Sequence, residues 1–351
     1  MKILQVSAGY YPLIGGVEEH VKNISERFAR EHEVTVFTTG LSKKLAKQEE
    51  INNVLVKRFN SFSPSNAYHL SPDMARELKK VRFDIVHGHN YHALPLYFAR
   101  STKTKKFIVT PHYHGHSHSR FRDFLLKIYK PLGRSIFKAA DKVIAVSNYE
   151  KNLLAKDFGL DETKISLIPN GIDPSEFAHL ARESKEPKTI LSVGRLEEYK
   201  GVQYIIKVLP QLDRDFRLKI IGRGTYKTKL VALVDRLGLN RRVTFYQDLT
   251  REQLLKFYAR AEVFVLLSQH EAFAIAVGEA LAAKTPCIVA NTSALREWVD
   301  NRNCFGIDYP ISIDKLASLI NNAIGREVED VKLWHWDQVV AELTRVYLED
   351  W

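Results

Sequence analysis

Short runs of β-branched and apolar residues alternate with segments of helical periodicity in the first half of the chain. The first run covers residues 3–7 and the second covers residues 34–37. Between them, apolar residues recur at helical spacing at Val17, Val21, Ile24 and Phe28. Further runs lie at 53–59, 83–87, 106–110, 142–147 and 164–168. Strands that alternate with helices are typical of a parallel sheet covered by helices, so we predict an α/β domain here.

The same alternation begins again after a turn-rich segment. The sequence Pro169-Asn170-Gly171-Ile172-Asp173-Pro174 leads into a polar stretch that ends at Pro187. New runs follow at 189–194, 218–221, 243–246, 263–267 and 287–290. One hydrophobic core rarely grows beyond about 250–300 residues, so a chain of 351 residues is expected to form two domains. We predict α/β domains at 1–178 and 179–331, and an amphipathic helix within 332–351.

Charge and cysteine content restrict the partners and the compartment. The formal net charge of +11 favours an acidic partner: a nucleic acid, an anionic membrane surface or a phosphorylated substrate. No recognition helix, zinc finger or stacking motif is found, so we expect no nucleic acid. Cys287 and Cys304 form no Cys-x-x-Cys motif, no apolar run approaches the ~20 residues that cross a bilayer, and the N-terminus does not resemble a signal peptide. We expect a cytoplasmic protein, soluble or peripheral on the inner membrane surface.

A glycine pair, Gly15-Gly16, stands between the first predicted strand and the first predicted helix. Glycine lets the backbone N–H groups at a helix N-terminus approach an anionic ligand, although a tight strand-to-helix turn explains the pair equally well. The pair lacks the three spaced glycines of dinucleotide-binding proteins. This argues against a dehydrogenase.

Two loops of the second predicted domain carry charged residues at the carboxyl ends of strands, where open α/β sheets bind their ligands. In the loop from Gly194 to Gly201, Arg195 and Lys200 could neutralise a diphosphate leaving group. The second loop contains Glu271 and leads into a helix with Glu279, and these carboxylates could accept hydrogen bonds from a sugar and a ribose. The alternatives are a solvated basic loop and a helix cap by Glu271.

Histidines cluster after strands of the first predicted domain. His112 follows the strand that ends at Thr110, so it could reach a donor sugar from the carboxyl edge of the sheet. Histidines alternate at 112, 114, 116 and 118 and again at 87 and 89, and imidazole is a common zinc ligand. No pattern of supporting carboxylates accompanies them, so we expect no metal.

Residues 119–138 combine basic and apolar residues at helical spacing. The basic residues are Arg120, Arg122, Lys127, Lys130, Arg134 and Lys138. A surface helix with its apolar face on the core is the favoured interpretation. Membrane docking is the alternative, and it would favour a lipid-linked acceptor.

Several of these segments, in this order, resemble the retaining GT-B glycosyltransferases. The resemblance is carried by Gly15-Gly16 with His20, His112, Pro169 to Asp173, Gly194-Arg195 with Lys200-Gly201, Gly222-Arg223-Gly224, and Glu271 with Glu279. It spans nearly the whole chain and is similar to the branch that contains sucrose synthase and bacterial lipid-glycan mannosyltransferases. It implies two Rossmann-like domains facing across a cleft, with the C-terminal helix, here 337–349, crossing back onto the first domain.

The resemblance also implies an activity and a site. A hexosyl group would move from a nucleotide-diphosphate sugar to a hydroxyl acceptor, with retention of configuration and without a metal or other cofactor. Arg195 and Lys200 would bind the diphosphate, and Glu271 would bind the transferred sugar. Glu279 would bind the ribose, and His112 the sugar near the reacting carbon. The remaining implied donor contacts are Gly16, Gly222, Phe273, Ala274 and Ile275, and the implied acceptor contacts are Gly15 and His20.

Three positions depart from the family, because Ala274, Lys284 and Gln247 stand where it usually has glycine. A side chain at 274 is acceptable only with negative φ, so we expect a shifted loop or an altered donor preference. Three other functions stay open: a glycosidase with Glu271 and Glu279 as its carboxyl pair, a nucleotide-sugar 2-epimerase, and a nucleotide-sugar-binding protein without turnover.

Overall fold

A computed structural model provides the fold. It describes residues 1–40, 45–63, 68–115, 120–178, 180, 184–329 and 331–349, and for 120–128 it describes only the backbone. The chain forms two compact units, which we call the first unit (Met1–Gly171 with Trp336–Trp351) and the second unit (Ile172–His335). These divisions lie a few residues from the boundaries at 178 and 331 that the sequence suggests.

Fourteen strands and twelve α-helices lie within the described ranges. The strands are β1 (Lys2–Val6), β2 (Glu33–Gly40), β3 (Gln48–Ile51), β4 (Val54–Asn60), β5 (Arg82–His89), β6 (Lys103–Thr110), β7 (Lys142–Ala145), β8 (Ile165–Leu167), β9 (Thr189–Val193), β10 (Arg217–Ile221), β11 (Val243–Tyr246), β12 (Val263–Leu266), β13 (Cys287–Ala290) and β14 (Cys304–Ile307). The helices are α1 (Gly16–Phe28), α2 (Pro72–Leu78), α3 (Leu94–Ala99), α4 (Arg120–Ala139), α5 (Asn148–Phe158), α6 (Ser175–Ala178), α7 (Val202–Val208), α8 (Lys227–Arg236), α9 (Arg251–Arg260), α10 (Ile275–Ala282), α11 (Ile313–Ala323) and α12 (Trp336–Leu348).

The sheet of the first unit has the strand order β3-β4-β2-β1-β5-β6-β7-β8. All neighbouring strands are parallel except β3 and β4. The order reverses at β1, since β2 and β4 lie on one side of it and β5 to β8 on the other. Open α/β sheets bind ligands at the carboxyl ends of strands beside such a reversal. The residues that follow β1, β5 and β6 are therefore at the expected functional edge.

The sheet of the second unit is parallel throughout and has the order β11-β10-β9-β12-β13-β14. Here the order reverses between β9 and β12. The loops that follow these two strands are consequently neighbours at one edge. Both units are therefore Rossmann-like, as predicted.

The sequence patterns predict neither β3 nor β14. β3 has the sequence Gln-Glu-Glu-Ile, and its two central glutamates are of a type that is depleted in strands. It forms because a tight turn at Asn52 and Asn53, with φ of 51° and 64°, folds it back along β4. β14 is only four residues long and contains Gly306, so it lacks a clear strand pattern.

The C-terminal helix α12 belongs to the first unit, as the resemblance implies. Its Tyr347 ring stacks on Phe28 of α1 with ring centroids 5.0 Å apart. At the other end of the helix, Asp337 accepts a hydrogen bond from Arg27 Nε at 3.0 Å. The apolar face of α12 is therefore buried on α1, which closes the first unit.

The predicted basic helix is present as α4. Beyond residue 128, Tyr129, Ile136 and Phe137 are buried in the core of the first unit, which agrees with the surface-helix interpretation. The side chains of 120–128, and residue 119, lie outside the described part, so membrane docking stays a prediction. Among the described residues, no helix has both the length and the apolar character needed to cross a membrane.

Candidate active site

Three loops pack directly on one another at the carboxyl edge of the second unit. A side chain at Gly201 would collide with the carbonyl oxygen of Leu267, and one at Gly222 would collide with the carbonyl oxygen of Gly194. Gly201 and Gly222 have φ of 75° and 151°, a region that favours glycine. The loops after β9, β10 and β12 are thus held in backbone contact. Packing against Gly194 is sufficient to explain why glycine stands at position 222. A contact between Gly222 and the donor stays a prediction.

Lys200 and Glu271 meet at this edge. Lys200 ends a 3-10 turn, Glu198–Lys200, in the loop after β9, and Glu271 lies in the loop after β12. Lys200 Nζ is 2.5 Å from Glu271 Oε1, and the two side chains are only 12% and 16% exposed. The Glu271 backbone N–H donates to Ser293 Oγ at 3.0 Å. An ammonium group has three donor hydrogens, so Lys200 can hold Glu271 and an anionic oxygen together.

A capping role does not explain Glu271. Helix α10 begins at Ile275, its N-cap is Ala274, and no side chain makes a hydrogen bond at that cap. The helix therefore starts without help from Glu271. This removes the structural alternative that the sequence left open for this carboxylate.

Arg195 lies in the same loop as Lys200 and is exposed. Its Nη2 donates to the Tyr199 hydroxyl at 3.0 Å, and Lys200 Nζ lies 5.3 Å from the centre of the Tyr199 ring. Tyr199 therefore contacts both predicted diphosphate-binding cations. Nothing in the sequence pattern singles out this tyrosine.

Glu279 is buried on α10 and forms an ion pair with Arg251 at the start of α9. Arg251 Nη2 also donates to Glu176 Oε2 at 2.7 Å, so one guanidinium holds two carboxylates. Burial, followed by the nearby Glu279 carboxylate, raises the pKa of Tyr258 well above its usual value. The sequence predicts Glu279 as a ribose contact but gives no sign of Arg251 or Glu176.

Ala274 has φ 72° and ψ 65°, which is the left-handed conformation. The expectation that a side chain here requires negative φ is therefore wrong: the loop keeps the conformation that glycine would adopt. A non-glycine residue in this conformation costs about 1–2 kcal/mol. The neighbouring Phe273 carbonyl accepts a hydrogen bond from Trp298 Nε1 at 2.7 Å, and the two rings lie 5.2 Å apart. These contacts hold the segment that leads into Ile275.

The two other departures from the family differ from each other. Lys284 also has a positive φ, 57°, so it too occupies a position that suits glycine. The residue with positive φ near Gln247 is the next one, Asp248, at 59°. Gln247 Oε1 accepts a hydrogen bond from Lys227 Nζ at 3.2 Å. Lys284 is consequently strained, whereas Gln247 has a side-chain contact of its own.

In the first unit, Gly15 is the N-cap of α1 and has extended backbone, with φ −176°. A side chain at Gly15 or at Gly9 would collide with the Glu18 carboxylate, whereas a Cβ at Gly16 would meet open space. Glu18 therefore lies against this glycine loop, a neighbour that the sequence did not suggest. Gly16 is the glycine whose backbone has room for a ligand.

The structure brings His20, His89 and His112 together at the carboxyl edge of the first unit. His20 is on α1, His89 ends β5, and His112 follows β6; all three are buried. The His20 ring centroid is 5.0 Å from that of His112 and 5.3 Å from that of His89. Burial lowers the pKa of His20 to about 4, and it holds the pKa values of His89 and His112 well below their usual range. These imidazoles are neutral at physiological pH.

Polar partners orient this histidine group. Asn170 Oδ1 lies 2.7 Å from His20 Nδ1, which gives the predicted Pro169-to-Asp173 segment a defined contact. Gln5 Oε1 lies 2.8 Å from His89 Nε2. His87 is bonded at both ring nitrogens, to Tyr347 Oη and to Thr110 Oγ1, at 2.7 Å each. His116 and His118 lie outside the described residues.

Glu150 positions the residue after His112. Its carboxylate accepts hydrogen bonds from the backbone N–H groups of Tyr113 and, at 2.8 Å, of Val146. The side chain is fully buried, and burial raises the pKa of Glu150 to about 8, although both hydrogen bonds oppose the rise. His112 itself has φ 49°, so this loop is tightly constrained.

Comparison with known proteins agrees with this geometry. Residues 14–176 match the family model described as Glycosyltransferase Family 4, and residues 176–332 match the one described as Glycosyl transferases group 1. The fold also matches sucrose-phosphate synthase from Thermosynechococcus elongatus, with a TM-score of 0.80, 20% identity, and coverage of 99% of this chain and 98% of that one. Two Rossmann-like units of this kind define the GT-B fold. The chain belongs to the GT-B glycosyltransferases.

Two relatives by sequence carry the similarity along most of the chain. An uncharacterized glycosyltransferase of Methanocaldococcus jannaschii is 29% identical, over 99% of this chain and 98% of its own length. GDP-mannose:cellobiosyl-diphosphopolyprenol alpha-mannosyltransferase of Xanthomonas campestris is also 29% identical, over 81% of this chain and 77% of its own length. The protein is therefore a glycosyltransferase, as predicted, and retention of configuration stays a prediction.

Proposed function

We propose that this protein transfers a hexosyl group from a nucleotide-diphosphate sugar to a hydroxyl acceptor, with retention of configuration and without a metal ion on the diphosphate. The observation that carries the proposal is the contact between Lys200 and Glu271. In this contact, the Lys200 ammonium group can bind the leaving phosphate. The neighbouring Glu271 carboxylate can accept hydrogen bonds from the hydroxyl groups of the sugar. The backbone-packed loops after β9 and β12 fix both groups before any ligand arrives.

The leaving group sets the first electrostatic requirement. As the bond from the anomeric carbon to the phosphate oxygen breaks, negative charge develops on the diphosphate. Preorganised cations stabilise such charge more effectively than mobile solvent does. Lys200 supplies one cation, and Arg195 supplies a second from the same loop. In other enzymes a divalent ion stabilises this charge. Because Lys200 and Arg195 supply the positive charge here, we assign no metal ion to the diphosphate.

Retention follows if the acceptor attacks from the face that the phosphate leaves. The acceptor oxygen forms its bond to the anomeric carbon while the phosphate oxygen departs, and the hydroxyl proton passes to that departing oxygen. This step needs no protein base. Glu271 is then free to orient the sugar through hydrogen bonds, in keeping with its contact with Lys200.

The remaining donor contacts are proposed from their positions. Glu279 would accept hydrogen bonds from the ribose, with Arg251 holding its carboxylate in place. Gly16 would offer its backbone to a phosphate, since the space above its Cα is open. Phe273, Ala274 and Ile275 would present backbone groups at the start of α10.

His112 would be a neutral hydrogen-bond partner for the transferred sugar. Its buried, constrained loop suits a residue that must be positioned accurately. His20 is 1% exposed and bonded to Asn170, so we assign it a positioning role on the acceptor side rather than a direct contact. Gly15 would line the same region.

For the acceptor we propose a lipid-linked saccharide, reached at the inner surface of a membrane. The polyprenol-linked substrate in the name of the Xanthomonas relative supports this class. The net charge of +11 and the basic residues of α4 suit an anionic surface. The protein would then be cytoplasmic and bind the membrane peripherally.

A glycosidase is a poorer fit to the same carboxylates. Such an enzyme needs one carboxylic acid that keeps its proton and a second carboxylate on the other side of the bond. Here each of the two glutamates is paired with its own cation, Glu271 with Lys200 and Glu279 with Arg251. The loop that carries Lys200 also carries the exposed Arg195, and this second cation suits an anionic donor better than a neutral glycoside.

The test is a set of reactions with UDP-, GDP- and ADP-hexoses, with and without a polyprenol-linked disaccharide. We expect nucleotide release only with the acceptor, and NMR of the product should show the anomeric configuration of the donor. An inverted product would refute retention. A changed donor sugar without acceptor would indicate an epimerase, and tight donor binding without turnover on any acceptor would indicate a binding protein.

A further inference from the structure

Three buried ring nitrogens without hydrogen-bond partners belong to neighbouring histidines of the first unit. They are Nε2 of His20, Nδ1 of His89 and Nε2 of His112. Each of these histidines can offer one nitrogen such that all three lie within 4.8 Å of one another. The side chains come from α1, the end of β5 and the loop after β6. Buried polar atoms are nearly always satisfied in native proteins, so three together call for a ligand.

The opposite ring nitrogens determine which atoms carry protons. His20 Nδ1 faces the Asn170 side-chain oxygen, which can only accept, so Nδ1 holds the hydrogen and Nε2 is left with its lone pair. His89 Nε2 faces the Gln5 side-chain oxygen in the same way, so His89 Nδ1 is left with its lone pair. Two buried ring nitrogens therefore carry lone pairs that no protein donor meets. His112 Nε2 is the third such nitrogen, in a ring whose centroid lies 5.0 Å from that of His20 and 6.1 Å from that of His89.

A proton on one of these nitrogens would not satisfy the group, because a single N–H donates to one acceptor at a time and three nitrogens lack a partner. A single dication can accept lone pairs from all three nitrogens at once, and neutral imidazole is the form in which histidine binds metals. A shared water molecule is the competing ligand, with two hydrogens to donate.

We infer that His20, His89 and His112 form a binding site for a transition-metal dication of the zinc class. Three imidazoles with one open position are a recognised zinc ligand set. The site offers no carboxylate or thiolate among the described residues, so it suits Zn²⁺ or Co²⁺ rather than Mg²⁺ or Ca²⁺. Asn170 and Gln5 would serve as the hydrogen-bond partners that orient metal-binding histidines, a role for which the sequence shows no carboxylates.

The geometry requires only small movements. Zn–N bonds of about 2.0–2.1 Å in a tetrahedral site place ligand nitrogens about 3.4 Å apart. One nitrogen of each ring lies within 4.8 Å of one nitrogen of each of the other two, so ring rotations that bring them closer would complete the site. A metal on His112 Nε2 would leave the proton on Nδ1, as a donor for a hydroxyl. The inference does not depend on the proposed function, and the site is distinct from the diphosphate cations of the second unit.

The test uses full-length protein without a histidine tag. Chelator-treated protein is titrated with Zn²⁺ and with Co²⁺, and bound metal is counted by elemental analysis after gel filtration. We expect one metal ion per chain, visible absorption bands typical of tetrahedral Co²⁺, and a higher melting temperature with Zn²⁺. His20→Gln, His89→Gln and His112→Gln should each weaken binding by about 100-fold or more, and Asn170→Ala by about 10–100-fold.

His87→Gln is the matched control, since His87 is buried on the same strand as His89 but both of its ring nitrogens are already bonded. It should bind metal as the wild type does, as should His32→Gln outside the group. If wild-type protein takes up no stoichiometric Zn²⁺ or Co²⁺, the three nitrogens share water and the inference fails. Unchanged metal binding in the three ligand variants would also overturn it. The Co²⁺ spectrum of the wild type decides the matter even if a variant does not fold.

Discussion

Lys200 Nζ lies 2.5 Å from Glu271 Oε1, and this ion pair joins the loops that follow two adjacent strands of the second unit. The residues are 71 positions apart in the sequence. They meet because β9 and β12 are parallel neighbours at the strand-order reversal. Both side chains are mostly buried, so the ion pair holds the two loops in a fixed position. An exposed ion pair would contribute little to stability.

Lys200→Ala and Glu271→Ala should each lower the transfer rate by at least ~100-fold, the scale for loss of a preorganised transition-state contact. Steady-state kinetics with the natural donor would measure this. Lys207→Ala, which removes an exposed lysine of α7, should leave the rate near that of the wild type. Near-normal turnover in both site variants would remove these residues from the reaction.

Ala274→Gly should stabilise the protein by about 0.5–1 kcal/mol, because relief of left-handed strain outweighs the entropy that glycine adds to the unfolded chain. Denaturant unfolding of the two proteins would show it. Ala276→Gly, at the second position of α10, should instead destabilise the protein, by at most about 1 kcal/mol. Equal losses in both variants would mean that position 274 is not strained.

Transfer should continue in EDTA and should not rise on addition of Mg²⁺ or Mn²⁺, since Lys200 and Arg195 supply the charge at the diphosphate. Rates measured directly after chelator addition test this. The metal content of the same sample should also be measured. It shows whether a metal ion is still bound at the buried histidines while transfer at the donor site continues. Loss of activity that Mg²⁺ or Mn²⁺ restores would place a metal on the donor.

Glu150 predicts a pH dependence of stability. Its pKa is raised to about 8 in the folded protein by burial, against about 4.3 in an unfolded chain. The folded protein therefore favours the protonated carboxyl group. As pH rises between these two pKa values, the free energy of unfolding falls, because the carboxyl ionises in the unfolded chain but not in the folded protein. Relative to Glu150→Gln, the wild type should lose at most about 1.4 kcal/mol of stability per pH unit across this window. A constant difference between pH 5 and pH 8 would contradict the raised pKa.

The architecture was largely accessible from sequence because buried parallel strands and their helices leave strong periodic patterns. The polar edge strand β3 could not be predicted, because its conformation depends on the hairpin that it forms with β4 and not on its own β propensity. At the site, Lys200 and Glu271 could be predicted as neighbours because both follow strands at one sheet edge. Arg251 with Glu176, and His89 with Gln5, could not be found, since their roles depend on side-chain positions across the fold.

The measurement that tests the central claim most directly is a thermal-shift series with UDP-, GDP- and ADP-sugars on the wild type, Lys200→Ala and Lys207→Ala. A ligand that binds only the folded state raises the melting temperature. We predict a rise with one nucleotide series in the wild type and in Lys207→Ala, and none in Lys200→Ala. The same rise in Lys200→Ala, or no rise with any donor, would contradict a nucleotide-sugar site at Lys200 and Glu271.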